Sequence, residues 1–221
     1  MKYAKRVSVY LLGMVLLATG IILNSKSDLG VSPIVSVAFC VSALSGASFA
    51  DMTMAVYTIC FAAELLVKGR RARWTDLLQL PFCYLMTRFM ALFSAILPSP
   101  RALWGRALLV APAILLTGAG VALMVSMRLV PNPADGLVQA VSDRTGRNVG
   151  FCKNCFDALC VAVTVLLGLL AAGRVIGVGA GTVAAVILTG RAVALTMRLM
   201  GDRLRKTAAE APLDLLGEAK K

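Results

Sequence analysis

The chain contains no histidine. That removes the commonest general base near neutral pH and the commonest metal ligand, and it argues against hydrolase or metalloenzyme chemistry. Charge is scarce as well: 15 % of the 221 residues are charged, against about 25 % in soluble domains. There is no nucleophile motif and no Gly-Lys-Ser/Thr phosphate loop. Six cysteines are present, but Cys40, Cys60, Cys83 and Cys160 lie inside apolar runs, where cysteine acts as a small hydrophobe. Cys152 and Cys155 form a CxxC with no second CxxC to complete a four-ligand zinc site. The expectation is no metal, no cofactor and no enzyme activity.

What the chain has in abundance is apolar residue, 59 % of the total, with a mean hydropathy of +0.82. A water-soluble core of that composition would leave too little polar chain to cover it, whereas a lipid bilayer solvates an apolar exterior. The basic start Met1-Lys2-Tyr3-Ala4-Lys5-Arg6 resembles a signal-peptide n-region. The apolar run after it continues to about Leu23, too long for a cleaved segment, so a retained first helix is expected. The net charge of +12 sits at the ends of apolar runs. That is the membrane pattern rather than a nucleic-acid-binding face.

Six runs are long enough to cross: 7–26, 50–67, 76–97, 107–127, 153–172 and 175–199. Two shorter segments, 33–45 and 133–143, lie between them. Each follows a capping residue and a proline suited to a first helical position, Ser32-Pro33 and Asn132-Pro133. Thirteen helical residues reach about 20 Å, short of the roughly 30 Å hydrocarbon core. Re-entrant or broken helices are therefore expected, on condition that protein or water covers their ends. The fold class is all-α, a polytopic transmembrane bundle occupying 1–199, with a soluble cytoplasmic tail at 200–221.

The chain repeats itself. At an offset of 100 residues, Leu16, Gly20, Leu23, Leu29, Pro33, Val41, Ser42 and Gly46 recur as Leu116, Gly120, Leu123, Leu129, Pro133, Val141, Ser142 and Gly146. The glycine and proline matches are the informative ones. Further on, with a three-residue slip, Thr87 to Leu92 matches Gly190 to Leu195. The repeats run over about 7–97 and 107–199. With the short segments re-entrant, 17 basic residues fall on the side of the N-terminus and four on the other, Lys26, Arg101, Arg106 and Arg174. If the short segments crossed, the split would be 14 to 7. The positive-inside rule favours the first arrangement. Three crossings per repeat invert the second relative to the first, a 3+3 symmetry typical of transporters. Both termini are expected to be cytoplasmic, in a bacterial inner membrane.

The run Gly20 to Pro33, Asp135-Gly136-Leu137 with Gly146, and Lys153 with Asp157 resemble the YczE/YyaS/YitT class of bacterial integral membrane proteins. The likeness covers most of 7–200 and implies topology more than activity. Two departures stand out. Val35 and Arg88 occupy positions where that class often carries acidic residues, which implies a shift in this chain from cation to anion preference.

Arg88 and Arg191 each lie well inside an apolar run, in matching helices. A mid-helix arginine costs about 2.5–3.5 kcal/mol on insertion scales and so faces a cavity or a partner. One reading makes them guanidinium clamps on a central anion; the other pairs them with Glu64, Asp135 or Asp157, or lets Arg191 snorkel. The amide-rich starts at Ser32-Pro33 and Asn132-Pro133 suit an anion or plain capping. Lys153 and Asp157, spaced i, i+4, share a helix face and suit ion coupling or an interfacial salt bridge. Glu64 is expected to pair with the basic cluster just beyond it. The small-residue stretch Gly177 to Ala185 reads as a helix-packing face.

The function expected is a secondary transporter or permease for a small anionic solute. Arg88, Arg191, Ser32, Pro33, Asn132, Pro133 and Asp135 would contact the substrate, and Asp157 and Lys153 would couple it to an ion. The alternative is a non-transporting accessory or scaffold protein, suggested by small size and the basic loop 68–74. The expected partners are the lipid bilayer and a small-molecule solute, with a homodimer the self-assembly to look for, and no nucleic acid.

Overall fold

The computed structural model describes residues 2–209. They form eight α-helices: α1 (Lys2–Ser27), α2 (Pro33–Ser45), α3 (Phe49–Lys68), α4 (Gln79–Ile96), α5 (Leu103–Met127), α6 (Pro133–Thr145), α7 (Val149–Ala172) and α8 (Ala180–Ala209). Two 3₁₀ turns, Gly69–Arg71 and Trp74–Leu78, join α3 to α4. No strand occurs among the described residues. Six of the helices, all but α2 and α6, are long and apolar enough to cross a membrane.

The expected spans are recovered, most with longer ends; α4 lies within the expected 76–97, and α8 begins at Ala180 where 175 was expected. The clearest difference is at α8, which continues through Ala209 instead of ending at 199. Residues 200–209 are not a solvated tail, because Gly201, Leu204 and Thr207 are buried and Leu204 joins the core. The remainder of the expected tail, 210–221, lies outside the described residues.

The offset of 100 holds in three dimensions. α2 and α6 have 13 residues each and begin at Pro33 and Pro133. Both end at a left-handed glycine, Gly46 (φ 73°) and Gly146 (φ 67°), where a side chain would be strained. The hydroxyls of Ser42 and Ser142 each donate to a carbonyl five residues on, of Ala47 and Arg147, at 2.7 Å. The only two non-glycine residues with positive φ among those described are also repeat mates, Asp28 (53°) and Arg128 (46°). Each turns the chain sharply at the end of a long helix, so that linkers 28–32 and 128–132 fold back into the bundle.

The repeats are inverted. Arg6, near the start of α1, donates to the carbonyl of Met127 at the end of α5 at 2.7 Å. At the opposite end Lys26 reaches Ser99 at 3.0 Å and Asp28 pairs with Arg106 at 3.0 Å. So α1 and α5 are antiparallel. Tyr10 meets Phe82 of α4 edge-to-face at 5.2 Å, and Arg144 at the end of α6 donates to the carbonyl of Val67 at the end of α3. The start of α1 and the ends of α3, α5 and α6 therefore share one end of the bundle, which also carries Lys68, Arg70, Arg71 and Arg73. We call it the basic end. α6 runs from the interior to this end, and α2 runs to the opposite one.

The helices form two groups. α4, α1, α5 and α8 pack side by side in that order, and α2, α3, α6 and α7 close a ring through the contacts α2–α3, α3–α6, α6–α7 and α7–α2. α1 and α5 cross where both lack side chains, the small-residue contact that drives helix association in lipid. A Cβ on Gly20 would lie 2.6 Å from the backbone nitrogen of Thr117, and one on Gly120 would lie 2.6 Å from the carbonyl of Gly13. The glycines of the 177–185 stretch pack differently from expectation. Gly179 and Gly181 receive a linker, Gly181 donating to the carbonyl of Leu29 at 2.7 Å, while the carbonyl of Gly177 accepts from Val31 at 2.9 Å and Gly177 also packs on Phe39 of α2.

Replacing Gly120 by leucine should open the α1–α5 crossing and lower stability by about 1–3 kcal/mol or more, as overpacking does. Gly190→Ala, whose added carbon meets nothing within 4 Å, should leave the melting temperature of the detergent-solubilised protein unchanged. Equal melting of the two variants would refute the crossing.

Candidate functional site

The start of α6 lies inside the bundle because its linker is anchored there. Tyr10 donates to the carbonyl of Val130 at 3.0 Å, four residues deeper along α1 than the Arg6 contact. Asn132 then caps α6, its side-chain oxygen accepting from the Ala134 amide at 3.2 Å, and Pro133 fills the first turn. Ser32 stands in the same place before α2 but makes no side-chain cap. Asn132 shares its surroundings with Tyr57 of α3. Both line a cavity of about 10 Å³, together with Tyr10 and Gln79, which is room for about one water.

A charged cluster follows immediately. Lys153 of α7 lies 3.4 Å from Asp135 of α6 and 3.3 Å from Asp157 one turn further along α7. The lysine and Asp157 are the expected pair; the link to Asp135 across the α6–α7 turn is new. Neither the ammonium of Lys153 nor the Oδ1 atom of Asp157 makes a well-aligned hydrogen bond, although both atoms are buried. Two carboxylates thus share one cation, with hydrogen-bonding capacity left over on both sides of the pairing. The Asp135 side chain is 52 % exposed against 22 % for Asp157. Asp135, Gln139 and Asp143 lie at i, i+4 and i+8 on the exposed face of α6, and Gln139 donates to Asp143 at 2.8 Å. This polar stripe connects the cluster to the basic end. The equivalent face of α2 is Val35, Phe39 and Ala43, so the two short helices differ in chemistry although they match in geometry.

A second charged group braces α6 from α3. Glu64 is fully buried, and its Oε1 accepts from Gln79 at 3.1 Å and pairs with Lys68. Lys68 also pairs with Asp76 of the second 3₁₀ turn at 3.0 Å. The pairing of Glu64 with the basic cluster is as expected; its packing on Gly136 is not foreshadowed by the sequence reading. A Cβ there would lie 2.5 Å from Glu64 Oε2. The repeat mates of these residues are Ser36 and Thr164, whose hydroxyls share a 2.7 Å hydrogen bond in the α2–α7 contact. One geometry is filled by a carboxylate against a glycine in one half and by two hydroxyls in the other.

The arginines do not meet. Arg88 pairs with Asp51 of α3, within its own repeat, and lies over the ring of Tyr84 at 5.1 Å. Its partner is none of Glu64, Asp135 or Asp157. Arg191 lies on the exposed side of α8 with no hydrogen bond or ion pair to a described residue. The expected guanidinium pair around a central anion is therefore not assembled, and the charged groups at the α6 start are Asp135, Lys153 and Asp157. All six cysteines are free, with Cys152 buried and Cys155 exposed. Among the described residues no group of three or more His, Cys, Asp or Glu side chains could hold a metal ion.

The chain belongs to a family of unknown function, DUF6198, whose family model matches residues 4–198. No curated protein and no solved structure matches it.

Gly136→Ala should destabilise the protein by about 1–3 kcal/mol by pressing on the Glu64 carboxylate. In a Glu64→Ala background the same change should cost little, a coupling of about 1 kcal/mol or more in a double-mutant cycle read by thermal melting. Additive losses would show that the two residues do not meet.

Proposed function

We propose that this member of the DUF6198 family is a small secondary transporter in which Asp135, Lys153 and Asp157 form an ion-coupling site at the inner end of α6. The observation that carries the reading is the pair of short helices. They begin inside the bundle at inverted positions, and under-satisfied charge gathers at the start of one of them. Discontinuous helices at matching places of two inverted repeats are how transporters build sites away from lipid. Ionisable groups at that depth are expensive unless they serve transport or pair with one another.

Asp157 and Asp135 compete for one ammonium, so a proton taken up by either carboxylate frees Lys153 for the other. The polar face of α6 supplies a hydrated route to the basic end, which the positive-inside rule makes cytoplasmic in a bacterial inner membrane. Asn132 and Tyr57 offer hydrogen-bonding groups beside the cluster. The anionic solute is kept in this reading, without the arginine pair as its seat.

The accessory-protein reading rests on the basic loop 68–74. Lys68 is occupied within the fold by Glu64 and Asp76, and Trp74 is 88 % exposed, as an aromatic anchor at a membrane interface would be. Arg70, Arg71 and Arg73 of the loop remain exposed.

The test is flux. Purified protein in liposomes holding a pH-sensitive dye should show proton movement driven by one or more small organic anions. Asp157→Asn should reduce that movement at least about tenfold while melting close to wild type. Undiminished flux in Asp157→Asn, or the absence of flux with a broad solute panel, would remove the proposal.

A further inference from the structure

We propose that the cleft at the end of the bundle opposite the basic end binds a small anionic group, a carboxylate or a phosphate. The cleft has a volume of about 480 Å³, within the usual size range of small-molecule sites. It opens between the end of α1, the end of α4 and the start of α5. Three cations line it, Lys26, Arg101 and Arg106, with Asp28 the one carboxylate.

Those charges are unevenly satisfied. Arg106 is occupied, with its Nη1 on Asp28 at 3.0 Å and its Nε donating to the carbonyl of Pro100 at 3.2 Å. Lys26 is half-buried and reaches a neutral group, the hydroxyl of Ser99, at 3.0 Å. Arg101 makes no hydrogen bond or ion pair with a described residue. Two cations without a carboxylate therefore face one cleft, alongside the hydroxyls of Ser94 and Ser99. An anion there would gain charge-assisted hydrogen bonds from both.

The distribution of charge along the chain makes this arrangement informative. Basic residues are rare at this end: Lys26, Arg101, Arg106 and Arg174 are the four. Three of them line one cleft, Arg101 from just before α5, Arg106 from its first turn and Lys26 from the end of α1. Three of the four residues that interrupt the prevailing charge pattern thus share a single concave surface. Phe39 of α2 and Phe49 of α3, edge-to-face at 5.5 Å, form part of its wall. They stand on α2 and α3, whereas Asp135, Lys153 and Asp157 stand on α6 and α7.

Binding at the cleft stands apart from transport; only the step that makes this anion the transported solute rests on the function proposed above. The same chemistry recognises a free anion or the phosphate of a lipid headgroup, and the experiment separates the two. Lipid-free protein in an uncharged detergent is titrated with inorganic phosphate and, separately, with phosphatidylglycerol in mixed micelles, with melting temperature as the readout. Wild type, Lys26→Gln/Arg101→Gln, Arg101→Gln alone and the control Arg191→Gln are compared. Saturable stabilisation by phosphate, weakened about tenfold or more in the double variant and unchanged in the control, supports a free-anion site. The same loss with phosphatidylglycerol alone supports a headgroup site. Arg101→Gln, a change at an exposed side chain that makes no hydrogen bond or ion pair with a described residue, keeps the test decisive if the double variant misfolds, and a several-fold loss is expected from it. Absence of binding by either probe, or equal binding by all four proteins, overturns the proposal. Asp157→Asn should keep phosphate binding while losing flux, so failure of the cleft and failure of the transport reading give different patterns.

Discussion

Two stretches of backbone, 28–32 and 128–132, leave the helical state inside a structure that lipid surrounds, and their polar groups must be satisfied by protein. In hydrocarbon each unpaired amide or carbonyl costs several kcal/mol, so neither linker can fold back unless partners are already in place. The two halves meet that demand with different chemistry. The first linker pairs with backbone, Val31 with Gly177 and Leu29 with Gly181, and glycine on both sides permits the approach. The second is held by side chains, Arg6 on the carbonyl of Met127 and Tyr10 on that of Val130. Because the linkers fold back, α2 and α6 start in the interior; because they start there, polar groups can gather at a depth that long apolar helices would otherwise fill.

Inverted repeats need not be chemically alike, and in this chain the differences follow from single positions. Val35 and Asp135 are mates, as are Tyr57 and Asp157, and Thr164 and Glu64. The ring of short and long helices is closed by matching contacts in both halves. Its polar content is concentrated around α6, while α2 remains apolar. The outer helices differ too. α4 packs on α3, helped by the Arg88–Asp51 pair, whereas α8 packs on α5 and α1 and has no comparable contact with α7. Position 151, the mate of Asp51, is Phe151, so Arg191 lacks the partner that holds Arg88.

Much of the fold was legible in the sequence because apolar run length and glycine–proline register are local signals. The run lengths separate six spanning helices from two short ones, and the register of Gly20, Pro33 and Gly46 with their mates marks the repeat. Contacts between distant turns were less legible. The match of Arg88 to Asp51 depends on how two 3₁₀ turns set the register of the α3–α4 hairpin, and no periodicity reports that. Asp135 and Lys153 sit 18 positions apart across a tight turn, beyond the reach of an i, i+4 rule. Glu64 on Gly136 had a signal in principle, since the same offset of 100 links it to Thr164 on Ser36, but only a known contact in one half would have revealed it. Arg6 counted merely as topological charge, and its role in satisfying the end of α5 emerges only once α1 and α5 are seen to be antiparallel.

That α2 and α6 fold back from opposite ends of an inverted pair is tested most directly by labelling single cysteines, in a background lacking the native six, with a membrane-impermeant maleimide in intact cells and in inside-out vesicles. The loop residues Ser48 and Asn148, mates in the two repeats, are both exposed. Ser48→Cys should react in intact cells and Asn148→Cys only in inside-out vesicles. Labelling of both from the same side would mean parallel repeats, and with the inversion would fall the opposed linkers, the charged cluster as a coupling site and the cleft as a separate end of the bundle.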